Sequence, residues 1–89
     1  MNSTKYKVFL ESRADKQLRK LPLEDRERVL ARIQKLKEGL LPELDVKKLK
    51  GYKDQYRLRV GEFRVLFELQ PERTIIVYAV LPRKKAYQK

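Results

Sequence analysis

Hydrophobic and polar residues alternate along most of the second half of the chain. In YRLRVGEFRVLFEL (56–69), two arginines stand between three apolar residues, and the alternation resumes after Gly61-Glu62. Since successive side chains of a strand point to opposite faces, this pattern predicts strands at about 56–61 and 62–70. The β-branched run at 74–81 predicts a further strand.

In the first half, the apolar residues change to helical spacing after one short alternating segment. KYKVFLES (5–12) predicts a first strand, and Ser12, followed three residues later by Asp15, signals the start of a helix. A second helix is predicted from Leu23 to Glu38, with Gly39 as its stop. The apolar stripes of the two helices are Ala14, Leu18 and Leu21, then Val29, Leu30, Ile33 and Leu36.

These elements predict a small α+β domain. Residues 40–55 contain Pro42 and Gly51 and are interpreted as a connection. The order is then β-α-α-β-β-β, with two N-terminal helices on one face of a mostly antiparallel sheet of about four strands. The first strand is expected beside the last. Residues 1–89 suit one domain, with 83–89 as a basic C-terminal tail.

A two-residue turn at Gly61-Glu62 would fix which side chains share a face. It pairs Arg59 with Arg64 and places Arg57 opposite Leu66, because a shift of one residue exposes the apolar set. The residues predicted to face the core are Tyr56, Leu58, Val60, Phe63, Val65, Phe67, Ile76, Tyr78 and Val80. The residues predicted on the opposite face are Arg57, Arg59, Arg64, Ala79 and Leu81, with Arg83 if the chain stays extended.

Charge indicates what this arginine face is for. The chain has 23 Lys and Arg against 12 Asp and Glu, a net charge of +11, and residues 46–89 carry most of it. Like charges opposite one another destabilise a strand pair, and guanidinium matches phosphate oxygens two at a time. A phosphodiester is therefore the expected occupant. The alternative is a solvated face on which the arginines pair with Glu62 or Glu68.

The absence of Cys and His from the sequence limits the kinds of catalytic and metal site that the chain can form. Without Cys the chain has no disulfide and no thiolate metal ligand, and without His it lacks the usual acid-base group near neutral pH. No metal or other cofactor is expected. No apolar run approaches the roughly 20 residues that span a bilayer, and the N-terminus lacks a signal-peptide core, so a cytoplasmic protein without membrane contact is expected.

Two segments carry a family resemblance. KLKGYKDQYRLRVGEFRVLFEL (48–69) and IIVYAVLPRKKAY (75–87) resemble the RelE toxins of bacterial and archaeal toxin–antitoxin systems. The resemblance implies an endoribonuclease that cuts mRNA, usually in the ribosomal A site, without a metal. It also implies a RelB-like antitoxin, and contact with operator DNA only through the toxin–antitoxin complex.

The resemblance also implies which residues act. Catalytic residues would be Arg57, Arg59, Arg64, Arg83 and Tyr87, and RNA-binding residues would be Lys48, Lys50, Lys84 and Lys85. Some members carry lysines where this chain has Arg57 and Arg59, and others carry a tail histidine. Arginine does not accept a proton in proteins, so the general base stays open among Tyr87, which ranks first, Lys84, Lys85 and Glu68.

Two other functions fit the same sequence. The related ParE branch inhibits DNA gyrase without cutting RNA and tends to lack the catalytic set, so retention of Arg64, Arg83 and Tyr87 favours the nuclease. The second of these other functions is a module that binds RNA or ribosomes but catalyses no reaction.

Overall fold

The computed structural model describes residues 5–82, which form two helices on one face of a five-stranded sheet. The elements are β1 (Lys7–Leu10), α1 (Ser12–Arg19), α2 (Leu23–Lys35), a 3-10 turn (Leu36–Glu38), β2 (Asp45–Lys48), β3 (Gln55–Val60), β4 (Phe63–Gln70) and β5 (Thr74–Pro82). The strand order is β1-β5-β4-β3-β2. Only the β1–β5 pair of this sheet is parallel, so the predicted α+β class and the place of the first strand are confirmed.

The helices form where the apolar stripes predicted them. Acidic residues stand in the first turn of α2 and basic residues in its last turn, which complements the helix dipole. The predicted helix to Glu38 closes as a 3-10 turn, and Gly39 stops it with φ of +112°. That backbone conformation is one that residues other than glycine rarely adopt.

The core lies between the helices and the sheet. Its largest fully buried side chains are Val29, Ile33 and Leu36 from the helical half, and Leu58, Val65, Phe67, Ile75, Val77 and Val80 from the sheet. The predicted β3–β4 register is confirmed, with Val60 opposite Phe63 and Arg59 opposite Arg64. Tyr56 and Phe63 pack against the core from its margin.

The sheet has one strand more than predicted. Residues 45–48, predicted to be part of a connection, pair with β3 as β2, with Asp45 opposite Arg59. This strand is four residues long, and Val46 is its one apolar side chain. Its sequence shows too little alternation to reveal it, and its pairing with β3 stabilises it instead.

The predicted faces of β5 are wrong over half of its length. Leu66 of β4 pairs with Ala79 and Phe67 pairs with Val77, so the register slips at Tyr78. Such a bulge reverses the side-chain alternation. The core therefore receives Ile75 and Val77, while Ile76 and Tyr78, predicted to be core residues, are only partly buried. Beyond the bulge, Val80 faces the core as predicted.

No helix in residues 5–82 is long and apolar enough to cross a membrane.

Candidate nucleic-acid interface

The face of the sheet away from the helices carries a groove lined almost entirely by cations. The groove has a volume of about 330 Å³. We call it the basic groove, and its lining residues are Lys47, Lys48, Leu49, Lys50, Arg57, Arg59 and Arg64. Six of these seven side chains are basic and none is acidic. The structure therefore brings the three predicted arginines together with Lys48 and Lys50.

Arg57 is held firmly and is more buried than predicted. Only 8% of the residue is exposed. Its Nη1 donates to the backbone oxygen of Asp45 at 3.2 Å and to Asp45 Oδ1 at 3.3 Å. A buried charge needs such a partner, because an uncompensated one is strongly destabilising. Arg57 therefore lies on the predicted face as a fixed charge at the base of the basic groove, but it is buried where exposure was expected.

Arg59 shares the same carboxylate but lies closer to solvent. Its Nη1 is 4.0 Å from Asp45 Oδ2, and its side chain is 36% exposed. An exposed pair at this separation contributes little to stability. One carboxylate thus faces two guanidinium groups, which leaves the basic groove strongly positive. The solvated-face interpretation expected Glu62 or Glu68 as partners, whereas the partner of Arg57 and Arg59 is Asp45.

Arg64 lies in β4 between two residues that pack on the core. Phe63 and Val65 flank it, and Arg59 and Leu81 are its cross-strand neighbours. Its Nε is shielded from solvent, and the residue as a whole is partly buried. The backbone of Arg64 is fixed by pairing with β3 and β5 on its two sides, and its side chain lines the basic groove.

The other predicted site residues fall into two groups. Glu68 lies four residues along β4 from Arg64, about 13 Å at the rise of a strand, and it does not line the basic groove. Arg83, Lys84, Lys85 and Tyr87 lie outside the described residues. Among residues 5–82, no group of three or more His, Cys, Asp or Glu side chains is placed to hold a metal ion.

Sequence reasoning missed Asp45 and Lys47. Both belong to β2, where the sequence predicts a connection. Six residues separate this strand from β3 and only Val46 in it is apolar, so neither alternation nor a short hairpin turn could have revealed it.

Tyr78 marks the other end of the same sheet face. Burial raises the pKa of its phenol, and the nearby carboxylate of Glu68 raises that pKa further. Tyr78 does not line the basic groove. The open face therefore has a cationic end around Arg64 and an end around Tyr78 where the carboxylates of Glu68 and Glu11 lie close enough to raise that pKa.

Comparison with known proteins places the chain in a family. Residues 8–87 match the family described as "ParE toxin of type II toxin-antitoxin system, parDE". The protein named "Putative toxin RelE1" from Methanocaldococcus jannaschii is 34% identical over 87 residues, which cover 94% of this chain and 97% of that protein.

Solved structures agree with this family. A chain of the RelB-RelE antitoxin-toxin complex from Methanococcus jannaschii is 35% identical with a TM-score of 0.78, over 90% of this chain and 95% of that chain. A chain of the archaeal RelE-RelB complex from Pyrococcus horikoshii OT3 is 29% identical with a TM-score of 0.77, over 90% and 97% of the two chains. The fold, the family match over most of the chain and these relatives together show that the protein belongs to the RelE/ParE superfamily of type II toxin–antitoxin toxins.

Proposed function

We propose that this toxin is a metal-independent mRNA endoribonuclease that acts in the ribosomal A site. The observation that carries the proposal is the basic groove, in which six cations and no carboxylate line one concave surface. A polyanion is the ligand that such a surface attracts, and arginine binds phosphate oxygens in pairs.

The reaction that suits these residues is attack by a ribose 2′-oxygen on the adjacent phosphorus. The bond from phosphorus to the 5′-oxygen breaks, which leaves a 2′,3′-cyclic phosphate and a 5′-hydroxyl. One proton leaves the 2′-hydroxyl for a base, and another is delivered to the departing 5′-oxygen. Negative charge grows on the non-bridging oxygens in the transition state, and preorganised cations stabilise it there.

The structure supports different roles for the three arginines. Arg64 is partly buried and belongs to β4, the central strand of the sheet, so we assign it to the non-bridging oxygens. Arg59 is more exposed and positions the phosphate, while Arg57 adds a fixed positive charge at the base of the basic groove. Lys48 and Lys50 are exposed at the rim, where they contact neighbouring phosphates.

The C-terminal tail supplies the remaining roles of this proposal. Arg83 holds an adjacent phosphate, and Lys84 and Lys85 bind the RNA backbone. Tyr87 either accepts the proton of the 2′-hydroxyl as the general base or stacks on a nucleobase, as aromatic side chains do with single-stranded RNA. Lys84, Lys85 and Glu68 are the other candidates for the base.

The proposed protein partner is a RelB-like antitoxin. Solved relatives are chains of complexes between RelB and RelE. A net charge of +11 favours an acidic segment that covers the basic groove and thereby excludes RNA. Operator DNA would be bound only through this complex. Because the proposed substrate is mRNA on ribosomes, the protein would act in the cytoplasm.

One observation favours a second function. The matching family description names ParE, and the ParE branch acts on DNA gyrase rather than on RNA. The basic groove argues for the nuclease, because its arginines match the oxygens of a phosphodiester.

Primer extension on an mRNA under translation separates these functions. We expect stops within codons that require both the toxin and ribosomes. A parallel assay should show that the toxin does not block supercoiling by gyrase. Loss of supercoiling without RNA cleavage would establish the ParE-like function, and ribosome binding without either effect would establish a binding module without chemistry.

A further inference from the structure

The hairpin between β2 and β3 exposes an aromatic ring among lysines. Tyr52 is 65% exposed, the largest fraction among the large hydrophobic residues of 5–82. The ring helps to line a second concave surface of about 670 Å³, which we call the hairpin pocket. The residues of this pocket are Lys47, Lys48, Leu49, Lys50, Gly51, Tyr52 and Lys53.

The hairpin pocket continues directly from the basic groove. The two surfaces share Lys47, Lys48, Leu49 and Lys50. No acidic side chain lines either of them. A strand of nucleic acid with a phosphate beside Arg64 therefore finds further lysines along this path, with the ring of Tyr52 at its end.

The backbone holds the hairpin in a defined shape. The Leu49 N–H donates to the Gln55 oxygen at 2.8 Å, and the Tyr52 N–H donates to the Leu49 oxygen at 3.4 Å. The Asp54 oxygen accepts from the Leu69 N–H at 2.9 Å, which ties the loop to β4. Because these contacts already order the hairpin, a ligand that stacks on Tyr52 incurs little further loss of backbone entropy.

Lysines around an exposed aromatic ring match the chemistry of a single-stranded nucleic acid. The cations bind phosphates, and the ring offers a surface to a base of any sequence. We propose that Tyr52 stacks on a nucleobase a few nucleotides along the strand from the cleaved bond, so that the hairpin pocket is a subsite of the RNA path. This inference rests on the proposed function, since it needs RNA in the basic groove.

An acidic segment of a protein partner would also be attracted by these lysines. A stable protein interface, however, buries about 800 Å² on each partner and is anchored by a cluster of apolar side chains. Tyr52 is the one exposed large hydrophobic residue in this hairpin. A single ring surrounded by cations fits one nucleobase better than it fits a peptide face.

The test measures binding of a 2′-deoxy mRNA, which cannot be cleaved by 2′-hydroxyl attack, both free and in programmed ribosomes. Tyr52→Leu, which keeps apolar area but removes the ring, should weaken binding about 5- to 150-fold, the range for loss of one stacked base. Tyr52→Phe should stay within about two-fold, since it keeps the ring. Phe9→Leu is the matched control, because Phe9 is an aromatic residue 53% exposed on β1, and it should bind like the parent.

Abasic substitutions along the mRNA locate the stacked base. At one position, the abasic mRNA should bind the parent protein more weakly by the same factor. The same abasic mRNA should bind Tyr52→Leu no more weakly than the intact mRNA does. This non-additivity in a double-mutant cycle is the signature of direct contact. Melting curves should coincide with the parent because Tyr52 is exposed.

Several results would overturn the inference. If Tyr52→Leu binds the mRNA like the parent, or if no abasic position depends on Tyr52, the ring does not stack, although cleavage by the parent would still support the nuclease. If Tyr52→Leu binds the mRNA like the parent but binds a RelB-like antitoxin more weakly in a parallel titration, the hairpin serves a protein partner. If the parent itself binds neither form of the mRNA, the proposed function fails together with the subsite.

Discussion

Removal of the Asp45 carboxylate should destabilise the fold through Arg57. The guanidinium group of Arg57 is almost fully buried, and two of its hydrogen bonds go to Asp45. In Asp45→Ala only the bond to the backbone oxygen remains. A hydrogen bond that involves a charged group contributes about 1.5–3 kcal/mol, and the low end applies because the Asp45 side chain is 55% exposed.

The expected loss is therefore about 1.5–2 kcal/mol for Asp45→Ala, with a melting temperature lower by about 6–16 °C. Asp45→Asn should lose less, about 0.5–1 kcal/mol, because its amide oxygen still accepts from Nη1 but without a charge. Urea denaturation at pH 7, followed by circular dichroism, measures both values. The double variant Asp45→Ala with Arg57→Met should recover most of the loss, since no buried charge is left uncompensated.

Glu62→Gln is the matched control for this prediction. Glu62 is an exposed carboxylate in the β3–β4 turn, outside the ion pairs described for residues 5–82. Its stability should stay within about 0.5 kcal/mol of the parent. If Asp45→Ala is as stable as this control, Arg57 does not depend on Asp45, and the argument for a fixed cation beneath the basic groove is refuted.

Three further predictions concern other parts of the molecule. Gly39→Ala should cost about 1–3 kcal/mol in urea denaturation, because φ of +112° with ψ of −175° is a region that only glycine adopts readily. Burial and then Glu68 raise the pKa of Tyr78, so above about pH 10 the unfolded state loses a proton that the folded state keeps. Stability should therefore fall as pH rises from about 10 through that raised pKa, and Tyr78→Phe should flatten this fall in denaturation curves between about pH 9 and 11. Affinity for mRNA should decrease with salt at a log–log slope of about −0.7 for each phosphate neutralised, and a slope near zero would contradict binding through the basic groove.

The sequence predicted the β3–β4 pair well because burial of one face fixes its register. A shift of one residue would send Phe63, Val65 and Phe67 to solvent. The same constraint is absent from β2, where one apolar side chain leaves the pattern ambiguous. The bulge at Tyr78 was missed for a related reason, since the β5 sequence is apolar at nearly every position and accommodates either alternation.

In the candidate site too, alternation along single strands predicts some features and misses others. The sequence predicted that Arg59 and Arg64 would lie opposite each other, because this follows from the register of two adjacent strands. The burial of Arg57 depends on a carboxylate twelve residues away in a strand that had not been predicted. Side-chain contacts across such a distance follow from the tertiary fold, and alternation along one strand does not reveal them.

Single-turnover cleavage on programmed ribosomes by Arg64→Ala tests most directly the proposal that arginines on the open sheet face take part in RNA cleavage. Loss of one preorganised charge-stabilising donor should lower the rate about 10²- to 10³-fold, with ribosome affinity within a few-fold of the parent. Arg64→Lys should restore only part of the rate, since an ammonium group cannot hold two phosphate oxygens at once. Arg19→Ala removes the same charge from exposed α1 and should cut like the parent. Cleavage by Arg64→Ala at the parental rate, or loss of activity only because the variant unfolds, would contradict the claim.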